Sequence, residues 1–556
     1  MSSEKHGDAI DLSHHLSAIA RARATSPLKG LQRYLGRPGL ISLAGGLPNE
    51  GYFPLSSVSG EVLVPDSFPL ETSEESSSLS WFWKLFSKSN KEKTVPFTVN
   101  RFSDDPEDLT LATSLQYGMA KGLPQLNNII KEFTEKVYKP AYNNWTTLVH
   151  TGNTDGIAKV AWTFINPGDG VLVSEWTYPS AIASMTPLGA KMVSVKMDGQ
   201  GMRSDDLRAI LSNWNESERG MPRPHVLYTV PVGQNPTGVT VERQRKKEIY
   251  DVCVEFGEWL SQPWVLAINT RDKDVIIVED DPYYFLQAGP YEPKGVRHNH
   301  SNISTLGDEE YIARLAPSYL QFDYQGRVLR LDTFSKTIAP GSRLGWFTCN
   351  PVFAERIERA AETSTQAPCG FGQVFVTSTL LKWKYQGYIR WLKALRVQYR
   401  ERRDYFIDCL DEEFHLQKTH AQDGFREGNV VYEGFLKSKS NFVNEKSVMN
   451  QRRVFSFVPP TAGMFIWLQL HLEDHPLYGQ LDSTALELKL WTALAEAGLI
   501  VGPGDMFSAH PGQNGASPHG HFRISFSNTE FDVMKKAVKI FSTVLQQFMK
   551  DTTIPA

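Results

Sequence analysis

From about residue 148 to residue 350 the sequence alternates short apolar runs with longer stretches of helical pattern, and this rhythm restricts the fold more than any other feature of the chain. Repeated βα units around a mostly parallel sheet produce such a text, because a strand covered on both faces is apolar throughout. The runs fall at 171–173, 192–195, 226–230, 275–278, 328–331 and 344–348, and several pass into polar residues at their C-terminal ends. Ligands of open α/β sheets collect beyond those ends. Helical text rich in Trp, Leu, Lys and Arg at 376–412 leads into a mixture of strands, such as 464–468 and 523–526, and helices. A chain of 556 residues also exceeds the size at which one core stops growing. The expectation is an α/β fold with a mostly parallel central sheet in a large domain at 111–395. A smaller α+β domain follows at 396–556, and residues 1–110 form an N-terminal arm and part of the small domain. The polar stretches 71–94 and 418–453 read as surface insertions, with Trp81-Phe82-Trp83 as a local packing anchor in the first.

Charge and cysteine usage remove several classes of function. Lys and Arg number 58 against 62 Asp and Glu, a formal net charge of -4, so no basic excess is present to hold nucleic acid. Cys253, Cys349, Cys369 and Cys409 are widely spaced, without a CxxC pair or a Cys/His cluster, which predicts a reducing compartment and no structural metal. The N-terminal residues lack an apolar core of signal-peptide length and carry acids that transit peptides avoid. No apolar run reaches membrane-spanning length. The expected setting is soluble and cytoplasmic, with no membrane partner.

The chemistry concentrates at strand ends. Asp332-Thr333-Phe334-Ser335-Lys336 closes the run at 328–331, and Pro340-Gly341 and Arg343 follow. An amine held near apolar walls and other cations has a lowered pKa and can form a Schiff base, while Arg343, Thr333 and Ser335 can hold a phosphate. This is the composition of an anchor for pyridoxal 5'-phosphate, although a Ser-Lys pair and an arginine on a solvated loop would look the same. Glu279-Asp280-Asp281-Pro282-Tyr283-Tyr284 puts a carboxylate at the end of another strand, where it can pair with a protonated pyridine nitrogen; Asp281 is the choice made here. Asn235, in the turn Gly233-Gln234-Asn235-Pro236-Thr237-Gly238, can donate to a phenolic oxygen. Gly152-Asn153-Thr154 precedes a helix, whose N-terminal amides favour an anion. Tyr178, rather than Trp176, is the aromatic expected to stack on a pyridine ring.

In this order the pieces resemble the class I and II aminotransferases among the fold-type I pyridoxal phosphate enzymes, and in particular the fungal aromatic amino acid and 2-aminoadipate/kynurenine aminotransferases. The matching text extends from Ile41-Ser42-Leu43-Ala44-Gly45-Gly46-Leu47-Pro48-Asn49 and Leu115-Gln116-Tyr117-Gly118, through the turns just described, to Arg343-Leu344-Gly345-Trp346 and Phe522-Arg523. The resemblance implies that Lys336 is the aldimine lysine and Asp281 the partner of the pyridine nitrogen. It implies that Asn235 and Tyr284 bond the phenolic oxygen and that Tyr178 stacks on the ring. Asn153, Thr154, Thr333, Ser335 and Arg343 would form the phosphate cup; relatives often carry Ser-Gln at the first two positions. Tyr117 would reach the phosphate of a neighbouring subunit in a homodimer with shared sites. Arg523 would take the substrate carboxylate, with Gly46 and Asn235 on the substrate side. A related enzyme type has an arginine where Lys29 follows Ser26-Pro27. The implied activity is ping-pong transfer of an amino group from Phe, Tyr or Trp, or from 2-aminoadipate or kynurenine, to a 2-oxo acid such as 2-oxoglutarate. A carbon-sulfur β-lyase on the same cofactor is the alternative. A transcription regulator with an aminotransferase-like domain is disfavoured, because the first 110 residues show no basic recognition-helix pattern.

Overall fold

The computed structural model describes residues 7–25, 43, 46–71, 92–258, 274–297, 306–421, 424–437, 452–512 and 519–553. The insertion expected at 71–94, with Trp81-Phe82-Trp83, falls largely outside them, as do Ser26, Pro27 and Lys29.

Seven strands build the central sheet: β1 (Thr146–His150), β2 (Gly170–Ser174), β3 (Lys191–Val195), β4 (Val226–Thr229), β5 (Ile276–Asp280), β6 (Val328–Thr333) and β7 (Gly345–Cys349). Their order is β1-β7-β6-β5-β4-β2-β3. Strand β7 runs antiparallel to both neighbours, and the described pairings among β6, β5, β4, β2 and β3 are parallel. Strands β2, β4, β5, β6 and β7 are buried at every position, which is why each reads as an uninterrupted run rather than an alternating one. Helix α1 (Asn153–Phe164) follows β1 after a single sharp turn.

A second sheet of six strands holds β8 (Phe414–His420), β9 (Val430–Leu436), β10 (Arg453–Phe457), β11 (Phe465–His471), β12 (Gly502–Pro503) and β13 (His519–Ser525), in the order β8-β9-β10-β11-β13-β12. Part of the stretch expected to be an irregular insertion at 418–453 is therefore regular: β8 and β9 pair antiparallel over seven residues. Its polarity has a simple cause, since β8 is an edge strand with His415, Lys418 and His420 exposed to solvent. Helix α2 (Gly370–Glu413) links the two sheets and breaks at Lys384, whose φ of 55° and ψ of -179° are not helical. The sheets meet closely at Gly233 and Gly463. A Cβ on Gly233 would lie 2.5 Å from the Gly463 nitrogen, so neither backbone leaves room for a side chain there. Among the described residues no helix is long and apolar enough to cross a membrane.

Candidate active site

Strands β1, β2, β4, β5 and β6 deliver the site. Beyond their C-terminal ends a cavity is lined by Asn153 and Thr154 after β1, Tyr178 after β2, Asn235 after β4, Asp280 at the end of β5, and Thr333, Ser335 and Lys336 at the end of β6. Arg343 closes it from the turn before β7. Lys336 is partly buried. Burial, together with the positive charges of Arg343 and Arg523, lowers its pKa below that of an ordinary lysine.

The carboxylate in this cavity belongs to Asp280, whereas the sequence reading chose Asp281. The cause is the alternation of β5. Register pairs Glu279 with Arg330 and Asp280 with Leu331 on β6, so Glu279 and Asp281 face away from the site while Asp280 faces into it. Asp281 accepts from Arg330 Nη1 at 2.9 Å, and the same guanidinium bonds Asp332 at 2.9 Å and meets Glu279 at 3.1 Å. This buried ion cluster sits on the back of the sheet. Tyr284 joins it, with the Arg330 guanidinium 4.8 Å from its ring centre, and so is also turned from the cavity that Tyr283 lines. The three-residue interval from Asp to Tyr is the same for both pairs, and spacing could not separate them.

Asp280 is itself held from two sides. Tyr228 Oη donates to Oδ2 at 2.7 Å and Asn153 Nδ2 to Oδ1 at 2.6 Å. Burial raises its pKa to about 6 against the opposing pull of these two donors. Tyr228 did not stand out in the sequence because it lies inside an apolar run. Asn153, expected in a phosphate cup through its side chain, spends its amide on Asp280 instead.

The anion end of the cavity rests on backbone geometry. Gly152 caps α1 with a φ of 87°, and a Cβ there would lie 2.5 Å from Arg343 Nη2. Arg343 takes a left-handed conformation itself, with φ 46°, and donates to Thr151 O at 3.0 Å. Around it stand Thr333 Oγ1, donating to Ser335 Oγ at 2.8 Å, and the first turn of α1, whose N–H groups lack intrahelical acceptors. A guanidinium, two hydroxyls and a helix N-terminus suit a phosphate.

The second sheet contributes Arg523 from β13. Its Nη1 donates to Asn235 Oδ1 at 2.9 Å, across the boundary between the sheets, and its guanidinium lies 4.4 Å from the Phe465 ring centre and 4.6 Å from that of Phe507. Trp176 packs on Trp467 and His521, with ring centres 5.2 and 4.8 Å apart, while Tyr178 lines the cavity. Two expected residues do not join this group. Tyr117 is 62% exposed, and a Cβ on exposed Gly46 would meet no atom within 4 Å.

Comparison with known proteins agrees with this arrangement. The family model for aminotransferase class I and II matches residues 88–260. An aromatic amino acid aminotransferase of Schizosaccharomyces pombe is 34% identical over 97% of this chain and 98% of its own length. A protein of Serpula lacrymans named L-tyrosine:2-oxoglutarate aminotransferase is 32% identical over 90% of this chain and 84% of its own length. The crystal structure of aminotransferase Aro8 from Candida albicans superposes with a TM-score of 0.77 at 32% identity, over 98% of this chain and 99% of that one. This chain belongs to the class I and II aminotransferase family and is an aminotransferase. Within the family, the relatives it follows along almost their whole length are the fungal aromatic amino acid aminotransferases.

Proposed function

We propose that this enzyme moves the amino group of an aromatic amino acid to a 2-oxo acid, 2-oxoglutarate in particular, with pyridoxal 5'-phosphate held at the strand ends. The observation that carries the reading is the meeting, in one cavity, of a lysine of lowered pKa, a buried carboxylate and an arginine seated on a glycine, with a second arginine from the other sheet bonded to Asn235 of the cavity wall.

The residues fit the cofactor. Arg343, Thr333, Ser335 and the first amides of α1 would hold its phosphate, Asp280 its pyridine nitrogen, Asn235 and Tyr283 its phenolic oxygen, and Tyr178 its ring face. When bound, it supplies the electron sink that lets an amino group leave one carbon skeleton and join another. Lys336 supplies an amine that is unprotonated more often than an ordinary lysine, first as the attachment point and then as the base that moves the substrate α-proton. Arg523 grips the α-carboxylate through two parallel N–H donors, and amino and oxo acids both carry that group. One arginine can therefore serve both half-reactions, which is what ping-pong exchange needs. Phe465 and Phe507, flanking the guanidinium, favour an aromatic side chain beside it, in agreement with the names of the relatives.

Exposed Tyr117 and Met119, together with Phe371 and Phe375 at the start of α2, supply an apolar face for a second copy of the chain. In such a homodimer Tyr117 would complete the partner's phosphate site.

The test is Lys336→Ala, read with a panel of amino donors against 2-oxoglutarate. The variant should lose at least about 10⁴-fold in turnover while still binding the cofactor. A variant that turns over at the parent rate rules the mechanism out. A parent enzyme that uses 2-aminoadipate in preference to Phe, Tyr and Trp removes the aromatic assignment alone.

A further inference from the structure

The opposite end of the central sheet gathers a second set of chemically capable side chains that transamination does not use. Asp169, His225 and Arg327 stand immediately before β2, β4 and β6, and Asp274 stands two residues before β5. The N-terminal segment lays His14 and His15 over them. His14 Nε2 lies 2.7 Å and His15 Nε2 3.2 Å from Asp274 Oδ1. His15 Nδ1 lies 3.0 Å from His225 Nδ1, and His225 Nε2 lies 3.6 Å from Asp169 Oδ2.

One of these contacts is incomplete. His15 Nε2 is a buried nitrogen with no hydrogen-bond partner, because Asp274 Oδ1, 3.2 Å away, is not aligned to accept from it. His14 Nε2 lies 2.7 Å from the same oxygen, so two imidazole nitrogens and one carboxylate oxygen gather within 4.8 Å of one another, with His15 only 2% exposed.

We propose that His14, His15 and Asp274 bind a divalent transition metal of the zinc class, which staples the N-terminal segment to the sheet. The 3.2 Å separation matches the edge of a coordination tetrahedron, about 3.3 Å for metal–ligand bonds of about 2.0 Å, and the 2.7 Å hydrogen bond from His14 would lengthen by about 0.6 Å on binding. The surrounding partners are those that metal ligands require. His15 Nδ1 lies within hydrogen-bond distance of His225 Nδ1, and Asp274 Oδ2 is held by Arg327, leaving Oδ1 for the ion. His14, 23% exposed, also forms part of the wall of an open groove of ≈ 980 Å³. The ligands come from points 260 residues apart in the chain, so no spacing rule of the zinc-finger kind could announce them, and the expectation of no structural metal rested on cysteine and histidine spacing along the chain.

The experiment is a titration of full-length, cofactor-loaded and metal-stripped protein with Zn²⁺ against a chromophoric chelator, and with Co²⁺ followed by visible absorption. One ion per chain should bind, the Co²⁺ spectrum should be tetrahedral, and Zn²⁺ should raise Tm. His15→Gln and Asp274→Asn should weaken binding about 100-fold and abolish the Tm shift. His14→Gln, at a partly exposed position, tests the same ligand set if those variants fail to fold, with at least about tenfold weakening expected. His471→Gln, in the separate His471, Glu473 and His519 group of the second sheet, should leave this ion in place. The proposal is overturned if the parent takes up no ion, if the ion survives in the His15 and His14 variants, or if His471→Gln removes it. It is equally overturned if Tm ignores Zn²⁺.

Discussion

The role proposed for Arg523, gripping a carboxylate, depends on two parallel donors rather than on charge alone. Arg523→Lys keeps the positive charge but loses the fork and the bond to Asn235 Oδ1. We expect kcat/KM for amino donors to fall about 10²–10³-fold, the equivalent of about 3–4 kcal/mol, and steady-state kinetics showing a loss below threefold would remove Arg523 from carboxylate binding. Asp280 gives a prediction in pH. Burial raises its pKa from the ordinary carboxylate range to about 6 in the cofactor-free protein, so the native state binds this proton more tightly than the unfolded chain does. Stability from this group is therefore fully present below about pH 4 and declines as pH rises to about 6. Asp280→Asn should flatten that decline and leave the cofactor-free variant more stable than the parent at pH 7 by on the order of 2–3 kcal/mol. Parallel pH profiles from denaturant titrations of the two proteins would refute the assignment. The sequence made the two adjacent aspartates visible but not their division of labour, because one carboxylate faces Arg330 and the other faces the cavity only once β5 is paired with β6.

Among the elements, the junction of β1 with α1 shows how a turn sets up an anion site. The alternation of strand and helix in the sequence makes the junction legible, and so does the glycine. What the glycine makes room for is decided elsewhere, by an arginine almost two hundred residues further along. Gly152→Ala puts a methyl 2.5 Å from Arg343 Nη2 at a φ of 87°. It should cost about 1–3 kcal/mol of stability and weaken cofactor binding by about tenfold or more, as measured by equilibrium dialysis. Gly168→Ala, at a φ of 93° with no atom within 4 Å of the added carbon, supplies the control for strain without the clash. Equal cofactor affinity in both variants would mean that Arg343 has no part in holding the anion. Strand β8 makes the opposite point, since a largely solvent-facing edge strand reads as an insertion until its partner β9 is seen beside it.

For the whole molecule, the apolar residues left exposed near Tyr117 and at the start of α2 argue for a second subunit. If the proposed homodimer forms through that face, a single charge there, Phe371→Glu, should shift sedimentation from dimer toward monomer and lower activity in proportion, because each site would lose the partner's Tyr117. A Phe371→Glu protein that sediments as the parent does would move the interface elsewhere. The joint between the two sheets matters in the same way. Arg403 on α2 donates to Pro460 O at 2.8 Å and to Pro290 O at 3.1 Å, and Gly233 meets Gly463 close to Asn235. Arg523 can reach Asn235 at the cavity wall because this joint holds β13 beside the end of β4.

The sequence alone determined the βα rhythm, the lysine at the end of β6, the glycine before α1 and the arginine of β13. Each of these is written in neighbouring residues, where hydrophobic period and turn chemistry act over a few positions. The tertiary structure decided which of two adjacent carboxylates and which of two adjacent tyrosines enter the cavity, where the Asn153 amide is spent, and that His14 and His15 meet Asp274. Those choices depend on strand register and on which face of the sheet a side chain takes, and both are fixed by partners distant in the chain. A one-residue change of face costs nothing in composition and exchanges every contact.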